Sequence, residues 1–334
     1  MHCFNCKFEI KKSFADYHLH SKTGRKISYQ NEFKKFFPDL KLFYCEQCGI
    51  ISVDHYAINK ERLNTYYKAG FYNSWDRFKE RSDGTEYVNL YWKTRADGQH
   101  NAISHYVNSS TVNNILEYGA GNGLCLIEMG KKFPQAKLYA IEPDSSTLIE
   151  NSKICIDQKS IKYDIIIFSH VIEHILFPQD TIKYLISRMN KNGLLIVDTP
   201  NQKKHILHII DLYHRTHHLT DYPYSPHITF FSMENIKKFF NDNFKELDLL
   251  TLKTSGGIDY KLLDSSKIKW HHPKSSIKNK LKKLLLSRSK PIYLFLKFLY
   301  NLNKPKYEVT NTHPINYDED IGVDIRAVLR LNKS

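Results

Sequence analysis

Ile115-Leu116-Glu117-Tyr118-Gly119-Ala120-Gly121-Asn122-Gly123-Leu124 is the stretch on which the fold turns. A strand predicted from Asn114 to Tyr118 runs into glycines at alternate positions, and a helix is predicted from about Leu124 to Lys132. Glycines let the backbone turn sharply and let a ligand lie against bare main chain. A dinucleotide fingerprint counted from Gly119 needs glycine where Leu124 stands, and a Walker loop needs Gly-Lys-Ser/Thr, which is absent. Both phosphate cradles are excluded. What remains is acidic-x-Gly-x-Gly-x-Gly, opened by a carboxylate and suited to a ligand that carries positive charge. The next strand, Lys137 to Ile141, leads into Glu142, 19 residues after Gly123, where a carboxylate can accept both hydroxyls of a ribose.

Further apolar runs follow at Lys153 to Ile156, Asp164 to Ser169, Gly193 to Asp198 and Phe244 to Leu252, with helical stretches between them. This alternation predicts a parallel α/β sheet, and the pattern of Ile321 to Leu331 adds an antiparallel strand. Upstream, residues 58–112 read as a helical connector. Its aromatic residues, among them Tyr66, Tyr67, Tyr72, Trp75, Tyr91 and Trp92, are spaced to pack against the following domain. Gly70, Asp83-Gly84 and Asp97-Gly98 are the expected breaks, and Arg95 and His100 are expected to be solvated.

Two Cys-x-x-Cys knuckles, Cys3 to Cys6 and Cys45 to Cys48, bracket the first fifty residues. Two knuckles complete a closed four-sulfur shell, which favours structural zinc. The 38 intervening residues exceed the 15 to 20 of a minimal ribbon, so the segment between must fold back. His18, His20 and His55 are rival ligands. Cys125 and Cys155 read as buried apolar fillers. The domains are therefore expected at 1–57 (zinc-binding), 58–112 (connector) and 113–334, the last with a basic insertion at about 254–317.

With 334 residues and 41% apolar content, the chain can bury an ordinary core, and its 13 Gly and 11 Pro exclude collagen-like and low-complexity classes. No apolar leader or membrane-length run is visible, so the expected location is cytoplasmic. The net charge of +14 is clustered: between Ser265 and Tyr307 there are twelve Lys or Arg and no Asp or Glu. Residues 278–306 read as a basic amphipathic segment that could lie against the inner face of the membrane, or pack on its own domain.

The loop, Glu142 and the fourth strand, which ends Phe168-Ser169-His170-Val171-Ile172-Glu173-His174, resemble the class I S-adenosylmethionine-dependent methyltransferases over roughly residues 98–252 and 321–331. That resemblance implies a Rossmann-like seven-stranded sheet with helices on both faces, beside a small zinc-ribbon-like N-terminal domain. It implies S-adenosyl-L-methionine held by Glu117, Gly119, Ala120, Gly121, Gly123, Glu142, Asp157 and Ser169. In it Glu117 sits near the amino-acid end, Glu142 at the ribose and Asp157 at the adenine amine. The four-cysteine pattern ahead of this domain is similar to that of bacterial sugar C-methyltransferases. Those enzymes carry Glu-His before an aromatic-Phe-Ser stretch, whereas this chain has Pro226-His227-Ile228-Thr229-Phe230-Phe231-Ser232. The lost Glu points to O- or N-methylation of a small molecule or glycan in surface polysaccharide biosynthesis. His227, His170 and His174 are the candidate bases, since imidazole titrates near working pH. A metal site among His205, His208, His214, His217 and His218 is a further option. The alternative, an RNA or other nucleic-acid methyltransferase, would use the zinc domain and basic insertion for binding. A scaffold without activity is a third class.

Overall fold

A computed structural model describes residues 1–17, 33–68, 86–144, 148, 154–203, 206–207, 226–255, 316–317 and 324–332. His18, His20, Gly70, Tyr72, Trp75, Asp83-Gly84, the histidines from His205 to His218, and residues 278–306 lie outside the described residues, as do the side chains of residues 86–91. The described residues fall in one unit made of Met1–Gly257 and Pro314–Ser334.

The main sheet is built from β4 (Asn114–Tyr118), β5 (Lys137–Ile141), β6 (Ile154–Ile156), β7 (Tyr163–Ser169), β8 (Met189–Pro200), β10 (Leu247–Ser255), β11 (Asn316–Tyr317) and β12 (Asp324–Leu331). Its order is β11-β10-β12-β8-β7-β4-β5-β6. Strands β6, β5, β4, β7 and β8 pair in parallel, and β12 enters antiparallel between β8 and β10. Seven substantial strands thus form the expected mixed sheet, with two-residue β11 added at one edge. The strand order reverses beside β4, so β4 and β7 open a crevice at their carboxyl ends, where α/β sheets bind ligands.

Alternation within the buried runs explains how both faces are covered. Leu116, Ile166, Phe168, Leu195 and Val197 face α4 (Pro178–Ser187) and α5 (Met233–Asn243) through Ile182, Leu185, Ile236 and Phe240. Ile115, Ile165, Ile167, Leu194 and Ile196 face α2 (Glu86–Ile103) and α3 (Leu124–Gly130) through Trp92, Ala96, Leu126 and Met129. A strand buried on both faces reads as a continuous apolar run, as these do. Helix α5 starts at a capping box between Ser232 and Asn235, which satisfies two otherwise orphaned backbone donors.

Several details depart from expectation. Helix α2 continues through Asp97-Gly98, because Ala96, Gly98 and Gln99 are buried against the domain and Asp97 pairs with Lys132. Arg95 and His100 are half-buried: Arg95 lies over Trp92, and His100 packs edge-on against Phe133. Cys125 is buried as expected, whereas Cys155 is exposed on the edge region formed by β6. Strand β8 begins earlier than expected because Met189 pairs with Tyr163 ahead of a register shift. Strand β10 begins later than expected, since Phe244 ends α5 by donating its N–H to Phe240 O.

A second, four-stranded sheet orders β1 (Ala15–Asp16), β2 (Lys41–Tyr44), β3 (Ile51–Ser52) and β9 (Thr229–Phe230). Its last strand comes from the Pro226-to-Ser232 segment, so the N-terminal residues and the histidine loop share one sheet. Helix α1 (Lys60–Lys68) packs Leu63 and Tyr66 into the same small core.

Candidate functional site

Gly119, Gly121 and Gly123 all adopt positive φ, at 76°, 55° and 77°. At Gly119 space adds to the conformational demand: a Cβ there would lie 2.3 Å from Val171 Cγ2, so that Val171 would have to shift. The bend therefore passes directly under the end of β7, and its amides face the neighbouring strand. Gly121 N–H donates to Glu142 Oε2 at 2.8 Å, and Asp144 N–H donates to Glu142 Oε1 at 3.2 Å. Burial raises the pKa of Glu142 and these two donors oppose the rise. Its carboxylate is pre-aimed across the bend.

Glu117 is buried, 4% exposed, and its Oε2 has no hydrogen-bond partner. Burial pushes its pKa up to about 8, with the charge of Arg95 only partly opposing. A buried, unsatisfied carboxylate oxygen costs about 1–3 kcal/mol unless a ligand donor completes it. This orphan fits the ammonium end of S-adenosylmethionine. Arg95, expected in solvent, instead projects its charge toward Glu117, Asp198, Glu173 and Asp324.

A cavity of about 570 Å³ opens beside Glu142, lined by Tyr118, Ile156, Asp157, Thr181 and Tyr184 among others. The Asp157 carboxylate accepts from both terminal nitrogens of Arg188 and from Tyr163 and Tyr184. Burial is the largest single influence and raises its pKa, but Arg188, Tyr163 and Tyr184 together outweigh it and the net shift is downward. An adenine amine at this wall would share a carboxylate already held by arginine. Ser169 donates its hydroxyl to Asp198 Oδ2 at 3.0 Å, within a network that also includes Gln99 and Arg326.

The three candidate histidines converge. His170 follows β7 with φ 55°, a left-handed conformation that is strained for a non-glycine residue and typical of functional sites. Its imidazole lies between two carboxylates, with Nδ1 3.6 Å from Glu173 Oε1 and Nε2 3.7 Å from Asp324 Oδ1. The rings of His174 and His227 meet edge to face at 4.6 Å. Burial lowers the pKa of His174 to about 4, and burial plus the His174 charge drives that of His227 well down. Both rings are neutral at pH 7. Gln202 Oε1 accepts from His227 Nδ1 at 2.8 Å, and Tyr67 hydroxyl bonds His174 Nδ1 at 3.2 Å.

Tyr67, Gln202, Arg326 and Asp324 were missed as site residues, and Glu173 was read only as part of the fourth-strand motif. Arg326 alone left a signal, as a charge inside the apolar run Ile325 to Leu331 that requires a buried acid.

The four knuckle cysteines also come together. Cys3 and Cys48 sulfurs are 3.6 Å apart, Cys6 and Cys45 sulfurs 3.5 Å, and all four lie within 4.8 Å of one another. A tetrahedral shell with bonds of about 2.3 Å has edges of about 3.8 Å. Lys7 and Gly49, one residue after each knuckle, take the same left-handed turn with φ 63° and 73°. The knuckles are held by α4 and α5: Gln179 donates to Phe4 O at 3.2 Å, and Asn235 to Gly49 O at 3.0 Å. His55 is no member of this cluster; it stacks on Phe4 at 4.1 Å and bonds Thr229 Oγ1 at 3.0 Å.

Residues 89–243 match a family model described as a methyltransferase domain. No curated protein sequence matches the chain at a significant level. Among solved structures, the plantazolicin methyltransferase BpumL, in complex with a monoazolic desmethylPZN analog and SAH, is 14% identical. That comparison covers 91% of this chain and 99% of BpumL, with a TM-score of 0.43. An S-adenosylmethionine-dependent methyltransferase from Clostridium acetobutylicum ATCC 824 is 10% identical over 79% and 99%, with a TM-score of 0.42. Coclaurine N-methyltransferase bound to N-methylheliamine and SAH is 13% identical over 74% of each chain, with a TM-score of 0.40. Family match, strand order and glycine bend agree on one part of the chain: residues 89–243, which match the methyltransferase-domain model, carry the glycine bend and parallel strands of a class I S-adenosylmethionine-dependent methyltransferase domain.

Proposed function

We propose that this methyltransferase acts on an oxygen or nitrogen of a small-molecule or glycan acceptor, in surface polysaccharide biosynthesis. The observation that carries the cofactor half of this reading is the buried, unpartnered Glu117 oxygen beside the glycine bend, with Glu142 aimed across it. In this reading Glu117 takes the ammonium group, Glu142 the ribose hydroxyls, and the walls at Tyr118, Ile156 and Asp157 the adenine. S-adenosylmethionine supplies an activated methyl group, so the protein's own task is alignment at about 3–3.5 Å and removal of one proton. The polar end of the crevice, with His170, His174 and His227 around Glu173, is where that proton goes. Acceptor identity rests on the loss of the Glu-His pair at Pro226-His227. Membrane contact through residues 278–306 rests on sequence alone; among the described residues no helix is long and apolar enough to cross a membrane.

Glu117 gives this reading a direct test. With a pKa near 8 it is mainly protonated at pH 7, and pairing with an ammonium group requires the carboxylate. Binding of S-adenosylhomocysteine at pH 7 should therefore release up to one proton, seen as a calorimetric heat that depends on the buffer's ionisation enthalpy. Release should fade as the pH rises above 8, where the carboxylate is already charged. In Glu117→Gln the buffer dependence should vanish and affinity fall by about 10-fold or more. Binding with no proton release, or no binding to folded protein, would overturn the assignment.

The Cys cluster is proposed to hold one structural zinc. Cys45→Ser should reduce bound zinc, measured by emission spectroscopy, from about one equivalent to a small fraction of that. It should also lower the melting temperature, because the knuckles anchor α4 and α5. Unchanged zinc content would remove this assignment.

A further inference from the structure

A second group of potential ligands lies apart from the cysteines. One ligand atom each from Glu173, His174 and His227 lies within 4.8 Å of the others, at the polar end of the cofactor crevice. Each of these side chains is oriented from its far side. Thr199 Oγ1 donates to Glu173 Oε2 at 3.1 Å, Tyr67 hydroxyl meets His174 Nδ1, and Gln202 Oε1 meets His227 Nδ1. Partners of this kind turn an imidazole's opposite nitrogen toward a metal. Glu173 is 1% exposed, and its Oε1 has no hydrogen-bond partner, although His170 Nδ1 lies 3.6 Å and His174 Nε2 3.9 Å away. The carbonyl of Pro226 also faces the His174 ring.

We propose that Glu173, His174 and His227 form a mononuclear site for a divalent transition metal, distinct from the cysteine cluster. Two imidazoles and one carboxylate suit iron, cobalt, zinc or manganese rather than magnesium or calcium. Bonds of about 2.1 Å require each ligand atom to move inward by less than about 1 Å. Three protein ligands leave positions open, and the reading of the crevice as a methyl-transfer site gives them an occupant, the acceptor hydroxyl. A hydroxyl held on such a cation would lose its proton far more readily than in water. The acceptor O–H bond breaks and its proton passes to His170. The oxygen's electron pair then forms the new O–C bond as the sulfonium C–S bond breaks. His170 remains for this task because it is the one of the three histidines not assigned to the metal, and Asp324 Oδ1 lies 3.7 Å from its Nε2 to balance the charge it takes up.

The test is a Co2+ titration of full-length protein carrying a single equivalent of zinc, held by the cysteine cluster, followed by visible absorption, with zinc content and S-adenosylhomocysteine binding measured on the same sample. One further equivalent of cobalt is expected, with ligand-field bands and no thiolate charge-transfer. Glu173→Gln and His227→Gln should each weaken that uptake by at least about 100-fold, since loss of an orienting partner alone costs about 10–100-fold. Gln202→Leu should weaken it by about 10–100-fold. No further equivalent in the wild type, uptake only with thiolate charge-transfer, or wild-type affinity in both ligand variants would overturn the site. Nucleoside binding without cobalt uptake overturns the metal site and leaves the methyltransferase reading standing. Cobalt uptake without nucleoside binding does the reverse.

Discussion

Glu142→Ala is expected to weaken S-adenosylhomocysteine binding by about 100-fold or more, measured by calorimetry on protein with an unchanged far-ultraviolet spectrum. A hydrogen bond to a charged group contributes about 1.5–3 kcal/mol net, and a ribose diol makes two to this carboxylate. The lower end of that sum, about 3 kcal/mol, is already about two powers of ten in affinity. A second loss adds to it. The same carboxylate accepts Gly121 N–H and Asp144 N–H, so its removal also releases the glycine bend from the end of β5. Glu142→Gln separates the two contributions. It keeps an acceptor for Gly121 and should cost about 10-fold, through charge more than through position. An alanine variant that binds within about threefold of the wild type would mean that the nucleoside lies elsewhere.

Glu142 and the bend were legible in the sequence because their chemistry is local. Glycine at alternate positions after an apolar strand fixes the backbone's options within ten residues, and parallel strands end side by side wherever the helices between them are of ordinary length. The same logic brought His170 and His174 to the crevice. His227 was legible for a different reason, the aromatic-Phe-Ser stretch that follows it.

Long-range pairing was not legible. Nothing near Tyr67 announces that its hydroxyl will meet a histidine 107 residues away. Asp97-Gly98 carries a turn signal by composition, yet burial of its neighbours holds the helix through it. Apolar packing outweighed local propensity there. Cys155 shows the converse: an apolar run predicts a strand, but its place at the edge of the sheet decides exposure.

Arg326→Met is expected to lower the melting temperature by on the order of 10 °C. The pair it breaks lies fully inside the sheet: Arg326 stands opposite Asp198 across β12 and β8, and the two are 5% and 1% exposed. Nε and Nη2 reach the two carboxylate oxygens at 2.6 and 3.2 Å. Burial opposes the charge on Asp198, but Arg326 outweighs it and holds the pKa below the ordinary value. Removing one partner of a buried pair typically costs about 3–5 kcal/mol, because the other is left charged in a medium that cannot solvate it. At about 2–4 °C per kcal/mol for a domain of this size, a loss of that order follows.

The sign of its pH dependence is fixed by the same geometry. In the wild type a depressed folded pKa gives stability that is present above the ordinary carboxylate range and is lost as the pH falls through the folded value. In the variant Asp198 keeps two neutral hydrogen-bond donors, Gln99 at 2.8 Å and Ser169 at 3.0 Å, and the more remote charge of Arg95. With its nearest cation gone its pKa rises, and acid relieves it. The gap between the two proteins should therefore narrow as the pH drops from about 7 toward about 4. A double variant, Arg326→Met with Asp198→Asn, removes both charges of the pair and should recover at least half of the lost melting temperature at pH 7. If calorimetry shows the single variant within about 2 °C of the wild type, Asp198 is solvated or compensated and the network joining α2, β7, β8 and β12 does not hold the crevice together. A large loss that the double variant fails to recover would instead assign the effect to packing of the arginine stem against the sheet, independent of its charge.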